Sequence, residues 1–141
     1  MATIPDVADA LVTVLNDADL SQSFTAVRKY RPIYELREIG DLTITVVPKE
    51  QGQVLADRVR AQMDFGLDIG IQKKLTTGGN AEVDILMELV EEIIDLIRNT
   101  RVFGVAKWMK TENNPIFAPE HLSEMRVFTS ILTVTLRAFI A

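Results

Sequence analysis

The side chains that most often do chemistry are few and scattered in this sequence. His121 is the only histidine, and there is no cysteine. A histidine- or thiolate-based metal site therefore lacks its ligands. Thiol nucleophiles, disulfides and iron–sulfur clusters are excluded outright. A lone His121 reads as a turn or surface residue before it reads as a general base. Asp17 and Asp19 are close in sequence, but the remainder of a calcium loop is missing. No Gly-x-Ser-x-Gly elbow is present. Gly78-Gly79-Asn80 precedes an apolar-periodic stretch, where backbone N–H groups can cradle a phosphate. It lacks the Lys and Ser/Thr of a P-loop and the third glycine of a dinucleotide fingerprint, so it reads as a loop and helix cap. Glu88, Glu91, Glu92 and Asp95 recur at helical spacing. Such carboxylates act as acid and base only where burial separates their pKa values, and here they lie opposite the apolar stripe, as a solvated face. No catalytic, cofactor-binding or metal-binding residue is assigned, and the expectation is an assembly or binding protein that is not an enzyme and carries no cofactor.

The elements that would position any site follow from periodicity. Thr3 can cap a helix from Ile4 to about Asn16, with Pro5 in its first turn and Val7, Ala8, Leu11, Val14 and Leu15 as its apolar stripe. A strand is expected from Phe24 to Arg31, interrupted by Pro32. A second runs from Asp41 to Val47 and ends at Pro48. Residues 49–53 are polar and contain Gly52, and read as a mobile connection. The clearest pattern is the strict alternation of Ala61, Met63, Phe65, Leu67, Ile69 and Ile71 with Gln62, Asp64, Gly66, Asp68, Gly70 and Gln72. That is a strand with one buried and one wet face. Gly66 and Gly70 fall on the wet face, where they allow a bend or the close approach of another backbone. Residues 76–80 form a turn, with Asn80 as N-cap of a long helix from Ala81 to Asn99. Val83, Leu86, Met87, Val90, Ile93, Ile94 and Ile97 are its buried stripe. A short strand is expected around Val105 to Lys110, a turn at 112–115, and one helical turn at 119–122. A last strand follows from Arg126 to Ala138, with Phe128, Leu132, Val134 and Leu136 on one face. Trp108 and Met109 either anchor a partner or cap the core.

This order predicts one α+β domain over residues 1–141: a mostly antiparallel sheet of about four to five strands with two main helices packed on one face. The chain has 141 residues, 48% of them hydrophobic and 25% charged, an ordinary globular balance that can bury its own core. The net charge of −5 disfavours general phosphate neutralisation. The first residues lack a basic stretch and contain Asp6 and Asp9, unlike a signal peptide. No apolar run reaches membrane-spanning length, so no membrane partner is expected, and the lack of cysteine fits a reducing compartment.

Several segments in order resemble the tail terminator (tail completion) proteins of long-tailed bacteriophages. They are Leu42-Thr43-Ile44-Thr45-Val46-Val47-Pro48, Phe65-Gly66-Leu67-Asp68-Ile69-Gly70-Ile71-Gln72-Lys73-Lys74, and the acidic helix from Glu82 to Ile97. Pro115-Ile116-Phe117-Ala118-Pro119-Glu120-His121-Leu122 and the strand from Arg126 to Leu136 complete the series. The resemblance implies a virion structural protein that oligomerises into a ring, usually a hexamer, either free or only once on the tail. The ring would sit on the tail tube protein, stop its polymerisation and offer the surface for a head connector or neck protein. DNA would pass through without sequence-specific binding. The place implied is the virion tail, and the host cytoplasm during assembly. Another neck or head-completion adaptor is the alternative, ahead of a small enzyme or a ligand-binding domain. A closing ring needs two unlike side surfaces, and loops commonly supply such contacts. The candidate interface residues are Lys49, Gln51, Gln53, Asp57 and Arg58 in one loop, and Trp108, Lys110 and Asn113 in another. The first of these loops is expected to become ordered on docking.

Overall fold

The computed structural model describes residues 3–30, 41–76, 79–114 and 116–140. Along the chain run α1 (Ile4–Asp17), β1 (Ala26–Arg28), β2 (Thr43–Leu55), β3 (Ala61–Lys74), α2 (Asn80–Thr100), β4 (Val102–Phe103), β5 (Ala106–Asn113), α3 (Pro119–Met125) and β6 (Val127–Ile140). One six-stranded sheet joins the strands in the order β1-β2-β3-β6-β5-β4. Only the β1–β2 pair is parallel; all the others are antiparallel.

The core is built by the two periodicities. Alternation in β3 buries Met63, Phe65, Leu67, Ile69 and Ile71, and the register places these beside Ala138, Leu136, Val134, Leu132 and Ser130 of β6. Ile44 and Val46 of β2 continue the same face. The stripe Val7, Ala8, Leu11 and Leu15 of α1 and the stripe Leu86, Leu89, Val90, Ile93 and Ile97 of α2 join this face in a single hydrophobic cluster. Each large aliphatic side chain withdrawn in this way contributes about 1.5–3 kcal/mol. α1 starts with a capping box, in which Thr3 Oγ1 accepts from Asp6 N–H and Asp6 Oδ2 accepts from Thr3 N–H. Just before the end of α1, Asn16 does the work of a strand neighbour. Its Oδ1 accepts from Ala26 N–H at 2.7 Å and its Nδ2 donates to Ala26 C=O at 3.0 Å, which ties β1 to the helix.

Several expectations need correction. The sheet has six strands, not four to five, because the two-residue β4 and the three-residue β1 are too short to show a period. β1 spans Ala26–Arg28 and not 24–31; Arg31 and Pro32 lie outside the described residues. Pro48 does not end β2. The strand runs on to Leu55, with its register shifting between Pro48 and Glu50. β1 pairs only as far as Val46, and Lys29 N–H donates to Val46 C=O on that side. The backbone polar groups of Pro48, two residues on, face the same open edge, where a missing N–H breaks no bond to β3. Residues 49–53, expected to be a mobile connection, are therefore strand. The N-cap of α2 is Gly79, not Asn80, which is the first helical residue; Thr77 and Gly78 of the expected turn are not described. Glu112 and Asn113, assigned to a turn, belong to β5, and Pro115 lies outside the described residues. α3 is longer than one turn. Gly66 and Gly70, expected on a wet face, are buried.

Candidate interaction surface

Two features stand out from the compact body. The first is an arm. After Pro48 and Lys49, β2 continues as the outer edge of the sheet, paired with β3 from Glu50↔Gly66 to Leu55↔Ala61, while β6 holds the other side of β3 as far as Ala61↔Ile140. Every residue from 49 to 60 is exposed. The ribbon closes through Asp57, whose Oδ1 accepts from the N–H groups of Val59 and Arg60 at 2.9 Å while Oδ2 accepts from Arg60 Nε at 2.9 Å. The Val59 N–H first, and then the Arg60 side chain, hold the Asp57 carboxyl below its ordinary value. Beside Asp57, Arg58 and Arg60 the arm tip exposes apolar side chains. Leu55 is 80% exposed, Val59 75% and Val54 59%, and Phe139 of β6 beside it is 53% exposed. The Arg60 guanidinium lies 5.3 Å from the Phe139 ring centroid. Apolar side chains clustered at the end of an exposed sheet edge are costly to leave in water and mark a surface that meets something.

The second feature is the face of the sheet turned away from the two long helices. It forms a concavity of about 670 Å³ with Asp64, Gly66, Thr135 and Arg137 as floor, Glu50, Gln51 and Gly52 on one rim and Met109 and Lys110 on the other. Arg137 grips Asp64 with Nε at 2.7 Å and Nη2 at 3.2 Å. Thr133 Oγ1 donates to Asp68 Oδ1 at 2.8 Å, and Lys49 Nζ lies 3.8 Å from the same oxygen. Lys110 Nζ meets Glu112 Oε1 at 2.7 Å. That pair raises the lysine and lowers the carboxyl, with Glu50 and Lys49 adding to the respective shifts from across the concavity.

Arg137 also holds the Asp64 carboxyl below its ordinary value of 3.8. A lowered carboxyl contributes stability that is complete above the unfolded value and lost as pH falls through the folded one. The side chains of Arg137 and Asp64 are still 30% and 37% exposed, so water screens the pair and its worth stays below about 1 kcal/mol. Asp64→Asn is expected to flatten that component of acid destabilisation below about pH 4, read as the urea midpoint against pH. An unchanged pH profile would show that the pair contributes nothing.

Gly66 is where the floor and one rim touch. A β-carbon at Gly66 would lie 2.7 Å from Cγ of Glu50, which crosses over it. The approach expected from the alternation is thus made by a side chain and not by a backbone. Gly66→Ala is expected to cost about 1–2 kcal/mol. In a Glu50→Ala background the same change should be near neutral, because the atom it meets is gone. Denaturant titration of the four-member cycle measures this coupling.

The residues expected to form an interface are placed as follows. Lys49, Gln51, Gln53, Asp57 and Arg58 lie along the arm and its turn. Trp108, Lys110 and Asn113 lie in β5, a strand and not a loop. Trp108 packs against the core cluster and donates from Nε1 to Thr111 Oγ1 at 2.8 Å, whereas Met109 is 42% exposed. The two groups stand on opposite sides of the sheet centre, and Lys110 faces the arm only across the concavity. Sequence reasoning missed Glu50, Asp64, Asp68 and Arg137, and the apolar tip. Period two already set Asp64 and Asp68 on one face; the partner Arg137 needed the β3–β6 register.

Little else here carries chemistry. His121 Nδ1 is 2.9 Å from Thr129 Oγ1, which also accepts from Gln72 Nε2 at 3.4 Å. Of the helix acids expected to be a solvated face, Glu92 instead accepts from Ser21 N–H at 2.9 Å. Among the described residues no three His, Asp or Glu side chains converge as a metal site, and no helix is long and apolar enough to cross a membrane.

No family model and no curated protein matches the chain. Among solved structures it is similar to a chain of the virion of native gene transfer agent (GTA) particle. The identity is 11%, the alignment covers 99% of this chain and 96% of that one, and the TM-score is 0.48. A likeness of that extent fixes neither a shared fold nor a shared role.

Proposed function

We propose that this chain is a structural subunit of a bacteriophage-type virion. It forms a ring on the end of the tail tube, stops tube polymerisation and presents the surface on which the head is joined. The observation that carries this reading is the arm: an open sheet edge and turn exposed along residues 49–60, with Val54, Leu55 and Val59 at its end. An open edge that ends in exposed apolar side chains is a template for pairing, so an arm of this kind is best explained by a neighbour that receives it. The ordered resemblance of five segments to the tail terminator group names the setting. The ring of that group is usually a hexamer; its partners are the tube protein below and a head connector or neck protein above. The place is the virion tail, reached by assembly in the host cytoplasm.

The work is positional, with no turnover and no cofactor. The concave face suits a lining past which DNA slides: on its floor Asp64 and Asp68 outnumber Arg137. Such a face offers no net positive charge to hold phosphates. The rival reading, a neck or head-completion adaptor, shares the ring habit. Incubating purified protein with free tails and with filled heads separates the two. Binding to tails and shortened, uniform tubes support a terminator; binding only to heads supports the adaptor.

A further inference from the structure

The two long edges of the sheet are complementary, and the cross-strand register shows how. β1 covers the outer side of β2 only at 44–46, and β4 covers the outer side of β5 only at 106–107. Beyond these, no described strand pairs with the outer side of β2 along 47–55 or with the outer side of β5 along 109–112. Successive antiparallel pairings through β3 and β6 make β2 and β5 run in opposite directions. A copy rotated about an axis along the strands therefore brings its β2 beside β5 of the first, antiparallel and with heights preserved.

Those heights are fixed by the ladder. Lys110 is level with Thr135, Gly66 and Glu50; Glu112 is level with Thr133, Asp68 and Val47. Opposite charges thus stand close in height on the two edges: Glu50 is level with Lys110, and Lys49, the extra residue between Pro48 and Glu50, stands between the heights of Thr111 and Lys110, within reach of Glu112 for a long side chain. Both edges also break register at this height, between Pro48 and Glu50 and between Trp108 and Lys110. Bulges discourage indiscriminate strand addition, which leaves side-chain charge to select the partner. Towards the arm tip the edges turn apolar together. Val54 and Leu55 are exposed on one, and Val102 (52%) and Val105 (63%) on the other.

We propose that these edges are the head-to-tail contact between copies of the chain. Lys49 and Glu50 of one copy meet Glu112 and Lys110 of the next, and Val54 and Leu55 of the arm lie against the corner formed by Val102 and Val105. This rests on the ring reading and assigns its side surfaces. The contact is heterologous, so it propagates until the ring closes.

The test exploits that asymmetry. Glu50→Lys alone sets lysine against Lys110 at every contact, and Lys110→Glu alone sets glutamate against Glu50. Either variant is expected to raise the concentration for half-assembly by about tenfold or more, as like-charge juxtaposition does. Light scattering across a concentration series reads this. Both positions are exposed, and thermal melts check that each variant folds. An equimolar mixture of the two, alternating around the ring, restores opposite charges at every contact and is expected to recover wild-type assembly, as is the double variant in one chain. Recovery in the double variant but not in the mixture would show a charge pairing within one chain across the concavity, and would overturn the contact. So would single variants that assemble like the wild type, with the ring reading left standing. A wild-type chain that stays monomeric at every concentration also overturns edge recognition; whether it still caps tubes then judges the ring reading separately.

Discussion

Phe65→Ala is expected to destabilise the protein by about 3–5 kcal/mol, among the largest effects of any single truncation in the sheet. Phe65 is fully buried at the middle of the inner face of β3, level with Leu136 of β6 and Gln51 of β2. It is one of the largest side chains with no solvent access, and it belongs to the cluster shared by both long helices. Truncation loses the transfer free energy of the ring and leaves a cavity that a strand hydrogen-bonded on both sides cannot collapse to fill. A domain of this size is stable by roughly 5–15 kcal/mol in total, so the variant would stand close to its unfolding threshold. Urea denaturation at neutral pH measures the loss. A change below about 1 kcal/mol, the range of ordinary surface substitutions, would mean that the faces of β3 are assigned the wrong way round.

Shortening the arm should have the opposite profile, with almost no effect on the fold and a large one on assembly. The pairing Leu55↔Ala61 and the turn beyond it can be cut by replacing residues 55–61 with Asn-Gly. That turn suits a two-residue hairpin closing on the Val54↔Gln62 pair. The segment removed contains the exposed Leu55 and Val59 and the Asp57–Arg60 turn, and it meets the body at the last strand pair, Ala61↔Ile140, and at Arg60 over Phe139. Stability is expected to fall by no more than about 0.5–1 kcal/mol. Self-association, and capping of tail tubes, should be lost at concentrations where the intact chain shows both. An arm-shortened chain that assembles and caps normally would remove the observation on which the functional proposal stands.

How far the sequence foretold this molecule depended on burial. Where an element has one buried face, its period was readable: α1 through Val7, Leu11 and Leu15, α2 through Leu86, Val90, Ile93 and Ile97, and β3 and β6 through their inner faces. The arm has no buried face. Gln51, Gly52, Gln53, Val54 and Leu55 show no alternation because water lies on both sides of them, and a proline just before them resembled a stop. Its tolerance comes from tertiary context, the early end of β1. The short β1 and β4 owe their strand character to neighbours, and Asn16 at the end of α1 adds two hydrogen bonds to Ala26 of β1. Of the interface expected from sequence, the residue choices fell on both free edges, but as loops. What sequence could not supply was height. That Glu50 stands level with Lys110 is a property of the register of four strands, set by hydrophobic faces far from either charge.

The most direct test of the central claim is tube length. Tail tube protein polymerised alone and with increasing amounts of this chain is imaged by electron microscopy, and the lengths and tips are measured. A terminator predicts tubes that stop growing once the chain is added, each with one extra ring at its growing end, six-fold when viewed along the axis. Tubes that keep growing at saturating chain, with bare tips, would contradict it.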